Sequence, residues 1–237
     1  VQLVDYLTYT NVPSNWSYGD LPDAQPFYRG TMFAYTPGAT NSSASPPLNV
    51  FINEWLADNT RTLADPADDD FEDWFEIYNP GTNTVDLGGY WLTDNLTNKF
   101  QFRVPANGHY TIPAGGYLLV WADDETGQNN TNRADLHASF ALSKGGDSIG
   151  IFAADGTQID AVTFGAQTSD VSQGRFPNGA LNQVSMTIPT PRAANVLPNT
   201  PPELAPIPDQ EITLGQTWGV TAQATDADVP VQTLLFS

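Results

Sequence analysis

The stretch that decides the fold is Asp73-Trp-Phe-Glu-Ile-Tyr-Asn-Pro-Gly81. Residues 74–78 are rich in aromatic and β-branched side chains, which favours a β-strand. Asn79-Pro-Gly81 ends this strand, because these residue types favour turns. The stretch therefore predicts a short strand that closes in a tight turn.

Short strand-like runs bounded by turn residues continue on both sides of this stretch. Residues 100–104 alternate cleanly between apolar and polar side chains. Further runs cover 50–56, 85–87, 90–93, 110–112, 117–121, 139–142, 149–152 and 159–164. Eight or nine short strands at hairpin spacing predict an all-β protein with an immunoglobulin-like β-sandwich. A compact helix is hard to place anywhere.

Charge and composition exclude several classes of function. The 237 residues carry 27 acidic and 8 basic side chains, a formal charge of −19, and no cysteine. Lack of cysteine excludes disulfides, zinc–thiolate sites, iron–sulfur clusters and a cysteine nucleophile. A chain this acidic is repelled by nucleic acid and by anionic lipid, so neither is an expected partner. No apolar run is long enough for membrane insertion.

Two segments of the chain repeat each other. A first set of residues recurs at one constant offset: Asp5, Thr8, Ser14, Ser17, Gly19 and Pro22 match Asp160, Thr163, Ser169, Ser172, Gly174 and Pro177. A second set recurs after a slip of one residue: Thr36, Pro37, Ala39 and Asn41 match Thr190, Pro191, Ala193 and Asn195. The ordered spacing predicts two copies of one domain end.

The middle of the chain resembles the lamin tail domain, an immunoglobulin-like family found in nuclear lamins and in secreted bacterial proteins. The resemblance rests on motifs in the family's order: Ile52-Asn53-Glu54, residues 73–81, Val85-Asp-Leu-Gly-Gly-Tyr-Trp-Leu-Thr-Asp94, Ile112-Pro-Ala-Gly-Gly-Tyr-Leu118, Leu142-Ser-Lys-Gly-Gly-Asp147, Asp155-Gly156 and Ile159-Asp160. It implies a non-catalytic sandwich in the middle of the chain. Residues 199–228 resemble the start of a bacterial cadherin-like or immunoglobulin-like module.

These patterns predict five regions along the chain. Residues 1–41 are predicted to be the C-terminal part of a preceding lamin-tail-like domain, and residues 42–47 are predicted to be a linker. Residues 48–196 form a complete lamin-tail-like sandwich, 197–202 a proline-rich linker, and 203–237 the truncated start of a cadherin-like or immunoglobulin-like module. We therefore expect a fragment of a longer protein.

Six carboxylates within nine residues form the most conspicuous cluster: Asp65, Asp68, Asp69, Asp70, Glu72 and Asp73. Their mutual repulsion is costly unless water or a cation offsets it. Calcium takes six to eight oxygen ligands, which such a loop can supply. The spacing is not that of an EF-hand. A calcium site and a solvated acidic loop both stay open, and calcium is the only cofactor indicated.

Two more acidic motifs are weaker candidates. Asp226 and Asp228 form an Asp-Ala-Asp motif of the kind that contributes to calcium sites between cadherin-like modules. Asp123-Asp124-Glu125 follows a strand-like run, and a solvated hairpin tip is the preferred interpretation.

Catalysis has little support in the sequence. His109 and His137 lie in separate loops, and no Gly-x-Ser-x-Gly motif accompanies them. Glu54 and Glu76 invite comparison with a glycosidase pair. However, both lie in structural motifs of the family, and we expect them to face water or pair with a base. The chain is therefore predicted not to be an enzyme.

Aromatic residues offer one possible binding surface. Most tryptophans lie on strands and are expected in the core. Trp16 and Tyr18 stand where the second repeat has Val171 and Gln173. A position that tolerates polar residues is often exposed, so Trp16 and Tyr18 are candidates for binding a glycan or a neighbouring domain.

These observations favour a structural or adhesive module of a large secreted or cell-surface protein. Its expected partners are neighbouring modules or copies of itself, and strand addition between copies would build a fibre. The alternative is a carbohydrate-binding accessory module of an extracellular enzyme.

Overall fold

The computed structural model describes residues 6–10, 12, 17–25, 27–32, 36–42, 48–209, 211, 213–215, 217 and 219–226. Trp16 and Asp228 lie outside these residues. The chain divides into two units, Val1–Asn195 and Val196–Ser237, which are described separately below.

The described residues are almost entirely strand, turn and loop. The strands are β1 Ser17–Asp20, β2 Arg29–Met32, β3 Phe51–Leu56, β4 Trp74–Tyr78, β5 Val85–Asp86, β6 Trp91–Thr93, β7 Phe102–Arg103, β8 Thr111–Ile112, β9 Tyr117–Ala122, β10 Leu136–Ala138, β11 Gly146–Phe152, β12 Gln158–Gly165, β13 Ser172–Arg175, β14 Gln183–Met186, β15 Glu203–Leu204 and β16 Ala224–Thr225. A 3₁₀ turn at Thr126–Gln128 is the one helical element among them. None of the described helical structure is long and apolar enough to cross a membrane.

Two sheets form the sandwich of the first unit. The larger sheet has the order β10-β9-β4-β3-β13-β14, and the smaller has the order β12-β11-β6-β7. β10 runs parallel to β9, whereas the other pairs in these two sheets are antiparallel. Strands β5 and β8 form a small separate pair. The prediction of an all-β, immunoglobulin-like sandwich is confirmed.

The central strands β3, β4 and β9 of the larger sheet are buried on both faces. Its inner face contributes Ile52, Trp55, Phe75, Ile77 and Val120 to the main core. The alternate residues of the same strands form a second cluster on the outer face, made of Leu56, Trp74, Leu119 and Trp121. Residues on this outer face are therefore shielded from water although they lie outside the sandwich core.

Strands β13 and β14 complete the larger sheet after a long excursion of the chain. Gly174 of β13 lies opposite Glu54 of β3. A Cβ atom at Gly174 would lie 2.6 Å from Met186 Cε and 2.7 Å from both Asn195 Nδ2 and Asn53 O. Only glycine permits so close an approach of these segments.

The N-terminal hairpin has the same register as this C-terminal one. Ser17 lies opposite Met32 and Gly19 opposite Gly30 in β1–β2. In the same way, Ser172 lies opposite Met186 and Gly174 opposite Val184 in β13–β14. The X-Pro bonds Leu21–Pro22 and Phe176–Pro177, which follow β1 and β13, are both cis.

The second unit contains one described strand pair. Glu203 lies opposite Thr225 and Leu204 opposite Ala224. Asp226 follows β16 and is half-buried. The cadherin-like character of this segment stays a prediction, as do the five regions proposed along the chain.

Between residues 50 and 165 the strands lie where the sequence predicted them, with one displacement, whereas β1, β2, β13 and β14 were not predicted. The run at 139–142 was expected to form a strand, but the strand β10 comes earlier, at Leu136–Ala138. Phe140 and Leu142 are buried in the core all the same. The apolar residues of this run therefore predicted burial correctly. The pairing with β9, however, is made by the preceding residues, Leu136–Ala138.

Candidate metal centre

Three titratable side chains meet at one end of the outer face of the larger sheet. Trp74 of β4 pairs with Trp121 of β9, and Ala122 N donates to Asp73 O at 2.8 Å. Glu72 lies two residues before Trp74, and Asp123 lies two residues after Trp121. The antiparallel register therefore places Glu72 opposite Asp123, on the outer face that carries both tryptophans. His137 of β10 lies beside Trp121.

The acidic loop before β4 brings two more carboxylates to this place. Asp65 N donates to Asp70 O, and Asp69 N donates to Asp65 O, both at 2.8 Å. Asp65 Oδ1 accepts the Ala67 N–H at 2.8 Å, and Asp68 Oδ1 accepts the Asp70 N–H at 3.1 Å. These bonds leave the second oxygens of Asp65 and Asp68 for other contacts.

The ligand atoms of these residues are close enough to share an ion. Asp65, Asp68 and Glu72 each offer an oxygen within 4.8 Å of the other two, and so do Glu72, Asp123 and Glu125. A third such group joins Asp65 and Asp123 to a ring nitrogen of His137. Calcium–oxygen bonds are about 2.3–2.6 Å long, so two ligands on opposite sides of one ion are about 5 Å apart. The spacing fits such an ion.

Three oxygens beside this space have no hydrogen-bond donor. Asp65 Oδ2, Glu72 Oε2 and Gln128 Oε1 are buried and unsatisfied, and Asp65 as a whole is 1% exposed. Gln128 Nε2 donates to Asp68 Oδ2 at 2.8 Å and also to Glu125 Oε2. Buried acceptors without donors are costly, and a cation would satisfy all three.

The electrostatics of the cluster are strongly unfavourable for negative charge. Burial, together with the charges of Asp123, Asp68, Glu125 and Asp65, raises the pKa of Glu72 to about 8. Burial also raises the pKa of Asp65. A bound cation would reverse both effects, because it favours the ionised carboxylates.

His137 is the only basic side chain placed inside the cluster among the described residues. Its ring is 1% exposed, with Nδ1 2.6 Å from Asp123 Oδ2 and 3.5 Å from Asp65 Oδ2. Burial lowers the pKa of His137, but the hydrogen bond and charge of Asp123 outweigh it, so the net shift is upward. The single imidazole of His137 contacts Asp65 and Asp123 only, and the unsatisfied oxygens of Glu72 and Gln128 are left without a donor.

The buried end of the cluster borders a pocket. The pocket measures about 290 Å³, and its lining includes Asp65, His137, Arg133 and Arg192. His137 Nε2 is buried without a partner. Arg192 pairs with Asp135 at the rim. Asp65 and His137 thus belong to both the carboxylate cluster and the pocket wall.

The six loop carboxylates proposed from the sequence separate into two sets. Asp65, Asp68 and Glu72 converge, whereas Asp69 and Asp70 are exposed and join none of the close groups of described residues. Asp73 lies on the other side of its strand and accepts the Asn59 N–H at 3.4 Å. Burial raises the pKa of Asp73 to about 6.

Two members of the centre, Gln128 and His137, were not foreseen as ligands from the sequence, whereas Asp123 and Glu125 belong to an acidic motif that the sequence marked as a weaker candidate. The expectation of a solvated tip at 123–125 fails for Asp123, whose side chain is 0% exposed. Asp123 stands two residues after Trp121 and four after Leu119. The alternation of side chains along β9 therefore predicts that Asp123 lies on the same face of the sheet as both. His137 lies close to Asp123 because β10 pairs in parallel with β9, and no local sequence pattern predicts this pairing.

The other candidate residues lie elsewhere. Tyr18 is half-buried in β1, and its ring centroid lies 6.2 Å from that of Tyr9. Trp16 and Asp228 fall outside the described residues, so binding of a glycan at Trp16 and Tyr18 stays a prediction. Asp226 is likewise untested as a ligand.

The glutamates once compared with a glycosidase pair are structural. Glu54 and Glu76 are cross-strand neighbours on the outer face and are 0% exposed, so the expectation that they face water or pair with a base is wrong. Glu54 accepts hydrogen bonds from Ser172 Oγ at 2.6 Å and from Thr190 Oγ1 at 2.8 Å. Glu76 accepts the Arg192 N–H. Both carboxylates hold the segment after β14 against the sheet.

Comparison with known protein families identifies the family of the chain. The Lamin Tail Domain family matches residues 43–166. The chain belongs to the lamin tail domain family. Lamin tail domains are immunoglobulin-like structural domains rather than enzymes. No curated protein and no solved structure matches the chain.

The family match ends before the sheet does. Strands β13 and β14 and the segment up to Asn195 lie beyond residue 166. They are nevertheless bonded to β3: Asn195 Nδ2 donates to Asn53 O at 3.0 Å, and Asn53 Nδ2 donates to Asn195 Oδ1 at 3.1 Å. In this protein the lamin tail sandwich therefore includes a closing segment, residues 172–195.

Proposed function

We propose that this chain is a structural and adhesive module of a secreted or cell-surface multidomain protein, stiffened by calcium. The ion binds among Asp65, Asp68, Glu72, Asp123 and Glu125, with the Gln128 side-chain oxygen as a further ligand. The lamin tail sandwich is the non-catalytic scaffold. Calcium bound at the carboxylate centre controls how rigid this scaffold is.

One observation carries the calcium assignment: buried oxygens at the centre lack donors while their carboxylates repel one another. Asp65 Oδ2 and Glu72 Oε2 are unsatisfied, and Glu72 belongs to two of the close oxygen groups. The donor set is almost all oxygen, which suits a hard cation and disfavours a soft one. Its oxygens come from separate segments and allow more ligands than the rigid octahedron of magnesium, so calcium is favoured over magnesium.

The ion would stiffen the module because its ligands come from three elements. Asp65, Asp68 and Glu72 belong to the loop that leads into β4. Asp123 and Glu125 follow β9, and Gln128 ends the 3₁₀ turn. An ion bound to all three cross-links segments that are otherwise held mainly by loop hydrogen bonds.

Composition supports an extracellular location and a role in assembly. A charge of −19 with no cysteine suits an extracellular chain that does not depend on disulfides. Tandem lamin tail repeats, followed by a cadherin-like module with Asp226 and Asp228 as calcium ligands, would make such a chain a stalk. Its partners are neighbouring modules or copies of itself, joined into a fibre.

Thermal unfolding tests the calcium centre. The midpoint is measured in EDTA, in millimolar calcium and in millimolar magnesium. Calcium at about 100 times its Kd stabilises the fold by about 2.7 kcal/mol. For a chain of this size that corresponds to a rise in Tm of roughly 5–10 °C. Isothermal titration calorimetry gives the stoichiometry.

Matched variants separate the centre from the general acidity of the loop. Glu72→Gln with Asp123→Asn removes two ligands, whereas Asp69→Asn with Asp70→Asn removes the same charge from exposed neighbours. The calcium-dependent shift should vanish in the first pair and persist in the second. The shift is the readout, because loss of repulsion raises the Tm of the metal-free variant. Equal shifts in both pairs would refute the assignment.

A further inference from the structure

The pocket beside the carboxylate centre has walls that the calcium assignment does not use. Its volume is about 290 Å³, and its lining comes from the loop before β4, from the residues around the start of β10 and from Arg192 after β14. Asp65 is the only lining residue among the proposed calcium ligands. The rest of the wall is therefore available to a second ligand.

One ring nitrogen of His137 is left without a partner in this wall. Nδ1 lies 2.6 Å from Asp123 Oδ2 and 3.5 Å from Asp65 Oδ2, so the edge of the ring that carries Nε2 points away from these carboxylates. The side chain is 1% exposed, and Nε2 has no hydrogen-bond partner in the described part of the chain. Such an atom is costly unless a ligand satisfies it. A hydroxyl group suits Nε2 in either protonation state, because it both donates and accepts.

Arg133 brings an unbalanced positive charge to the same pocket. The residue is half-buried, and its Nη2 donates to Ala67 O at 3.2 Å. No carboxylate of the described residues forms an ion pair with this guanidinium, although the chain carries 27 acidic against 8 basic side chains. Arg192, by contrast, pairs with Asp135 at the rim. Guanidinium groups bind carboxylates through paired, charge-assisted hydrogen bonds, so Arg133 is suited to a ligand carboxylate.

Size and charge restrict the ligand further. Ligand pockets in proteins usually measure about 300–1,000 Å³, so this one has room for a single unit of monosaccharide size. Pro66 and Ala134 line the pocket with apolar surface, which can face the C–H groups of such a ring. A polyanion is disfavoured, because a chain with a charge of −19 repels it. These features together fit one hydroxylated carboxylate.

We infer that this pocket binds a single sugar-acid residue, with its carboxylate on Arg133 and a hydroxyl group on His137 Nε2. The Arg192–Asp135 pair at the rim supplies further donors and acceptors for the remaining hydroxyl groups. A free sugar acid and the terminal residue of an otherwise neutral glycan share this chemistry. The inference does not depend on bound calcium, and it goes beyond the proposed structural role because it gives the module a ligand of its own.

Isothermal titration calorimetry tests the pocket on the full chain. The probes are glucuronate and galacturonate, each as the free sugar acid and as the methyl glycoside, which represents a terminal glycan residue. Metal ions are first removed with a chelating resin, because carboxylates and hydroxyl oxygens bind calcium and a bridging ion would imitate the pocket. At least one of the two sugar acids should bind with a Kd of about 1 mM or below.

Two control compounds test which groups of the ligand are recognised. Glucose lacks the carboxylate and cyclohexanecarboxylate lacks the hydroxyl groups, so each should bind at least about tenfold more weakly. Binding of a methyl glycoside supports a glycan terminus as the source, and binding of the free sugar acid alone supports a soluble ligand. Absence of binding by both sugar acids, equal binding of either control compound, or binding that requires calcium would overturn the inference.

Matched variants locate the binding site. Arg133→Met should weaken sugar-acid binding by about tenfold or more, and Arg133→Lys, which keeps the charge, should restore part of it. Arg61→Met removes the same charge from a side chain that is 82% exposed and lies outside the pocket lining, so it should leave binding unaltered. Equal weakening by Arg133→Met and Arg61→Met would contradict the site. Because binding is measured without metal, failure of the calcium assignment leaves this test unaffected.

NMR observes His137 without altering the protein. The chain has two histidines, and long-range proton–nitrogen spectra resolve both ring nitrogens of each. Saturating sugar acid should shift the Nε2 signal of His137 more than its Nδ1 signal, because Nδ1 stays bonded to Asp123. An unchanged Nε2 signal at saturation would show that the sugar acid binds elsewhere.

Discussion

Neutralising Glu76 should remove a large pH dependence from the stability of the protein. Glu76 is 0% exposed, and its Oε1 has no hydrogen-bond partner. Burial raises the pKa of Glu76 to about 8, opposed by the Arg192 N–H bond and reinforced by Glu54. The Glu76→Gln change imitates the protonated form: it keeps an acceptor for Arg192 and introduces no charge.

The sign and size follow from linkage. The folded-state pKa of Glu76, about 8, lies above its ordinary value of 4.5. The stability that this group contributes is therefore complete below about pH 4.5 and is lost as the pH rises through about 8. Each pKa unit corresponds to about 1.4 kcal/mol, so the wild-type chain should lose about 3 kcal/mol between about pH 6 and pH 9 through Glu76 alone.

Urea unfolding at several pH values measures this loss. The quantity of interest is the free energy of unfolding of Glu76→Gln minus that of the wild type, because titrating groups that do not interact with Glu76 cancel in the difference. It should increase by about 3 kcal/mol from about pH 6 to pH 9. Glu211→Gln, at an exposed site, controls for net charge. A difference that stays constant with pH would show that burial does not perturb Glu76, and the reasoning would be wrong.

Three further substitutions probe the sandwich, each measured by urea unfolding. Arg175→Met should cost about 3–5 kcal/mol, because it strands the half-buried carboxylate of Asp160, which lies 2.8 Å from the guanidinium. Gly174→Ala should cost roughly 1–3 kcal/mol through overpacking, whereas Gly165→Ala, with nothing within 4 Å of the added atom, should cost less than about 1 kcal/mol. Asn79→Ala should cost about 2 kcal/mol, since its buried amide donates to three carbonyl oxygens; a loss under about 0.5 kcal/mol would contradict that role.

The fold was largely accessible from the sequence because its strands are short and closed by strong turn residues. Asn79-Pro-Gly81 and the glycine pairs mark strand ends locally, so β4, β6 and β9 were placed correctly. β10 was misplaced because it pairs in parallel with β9, and parallel pairing leaves no hairpin signal. Burial of Glu54 and Glu76 was missed because segments distant in sequence cover the outer face.

The candidate metal centre could be predicted only in part from the sequence, for a similar reason. Asp65, Asp68 and Glu72 lie in one loop, where a dense run of carboxylates is visible directly. Asp123 and His137 reach the same place only through the register of β4, β9 and β10. Local composition therefore identified one side of the centre, and long-range pairing determined which of the loop carboxylates face it.

The reciprocal pairing of Asn53 and Asn195 has a mechanical consequence. The chain enters the sandwich at Val50, just before β3, and leaves it at Asn195, so entry and exit lie side by side. If the chain were pulled at its two ends, the tension would cross this amide pair and the short β3–β13 ladder, while β4 to β12 would lie outside the path of the force. Because both asparagines are shielded from water, these hydrogen bonds would resist the load without competition from solvent. The extensibility of the chain would then be set by a few polar bonds at one corner, and the apolar core would unfold only after they part.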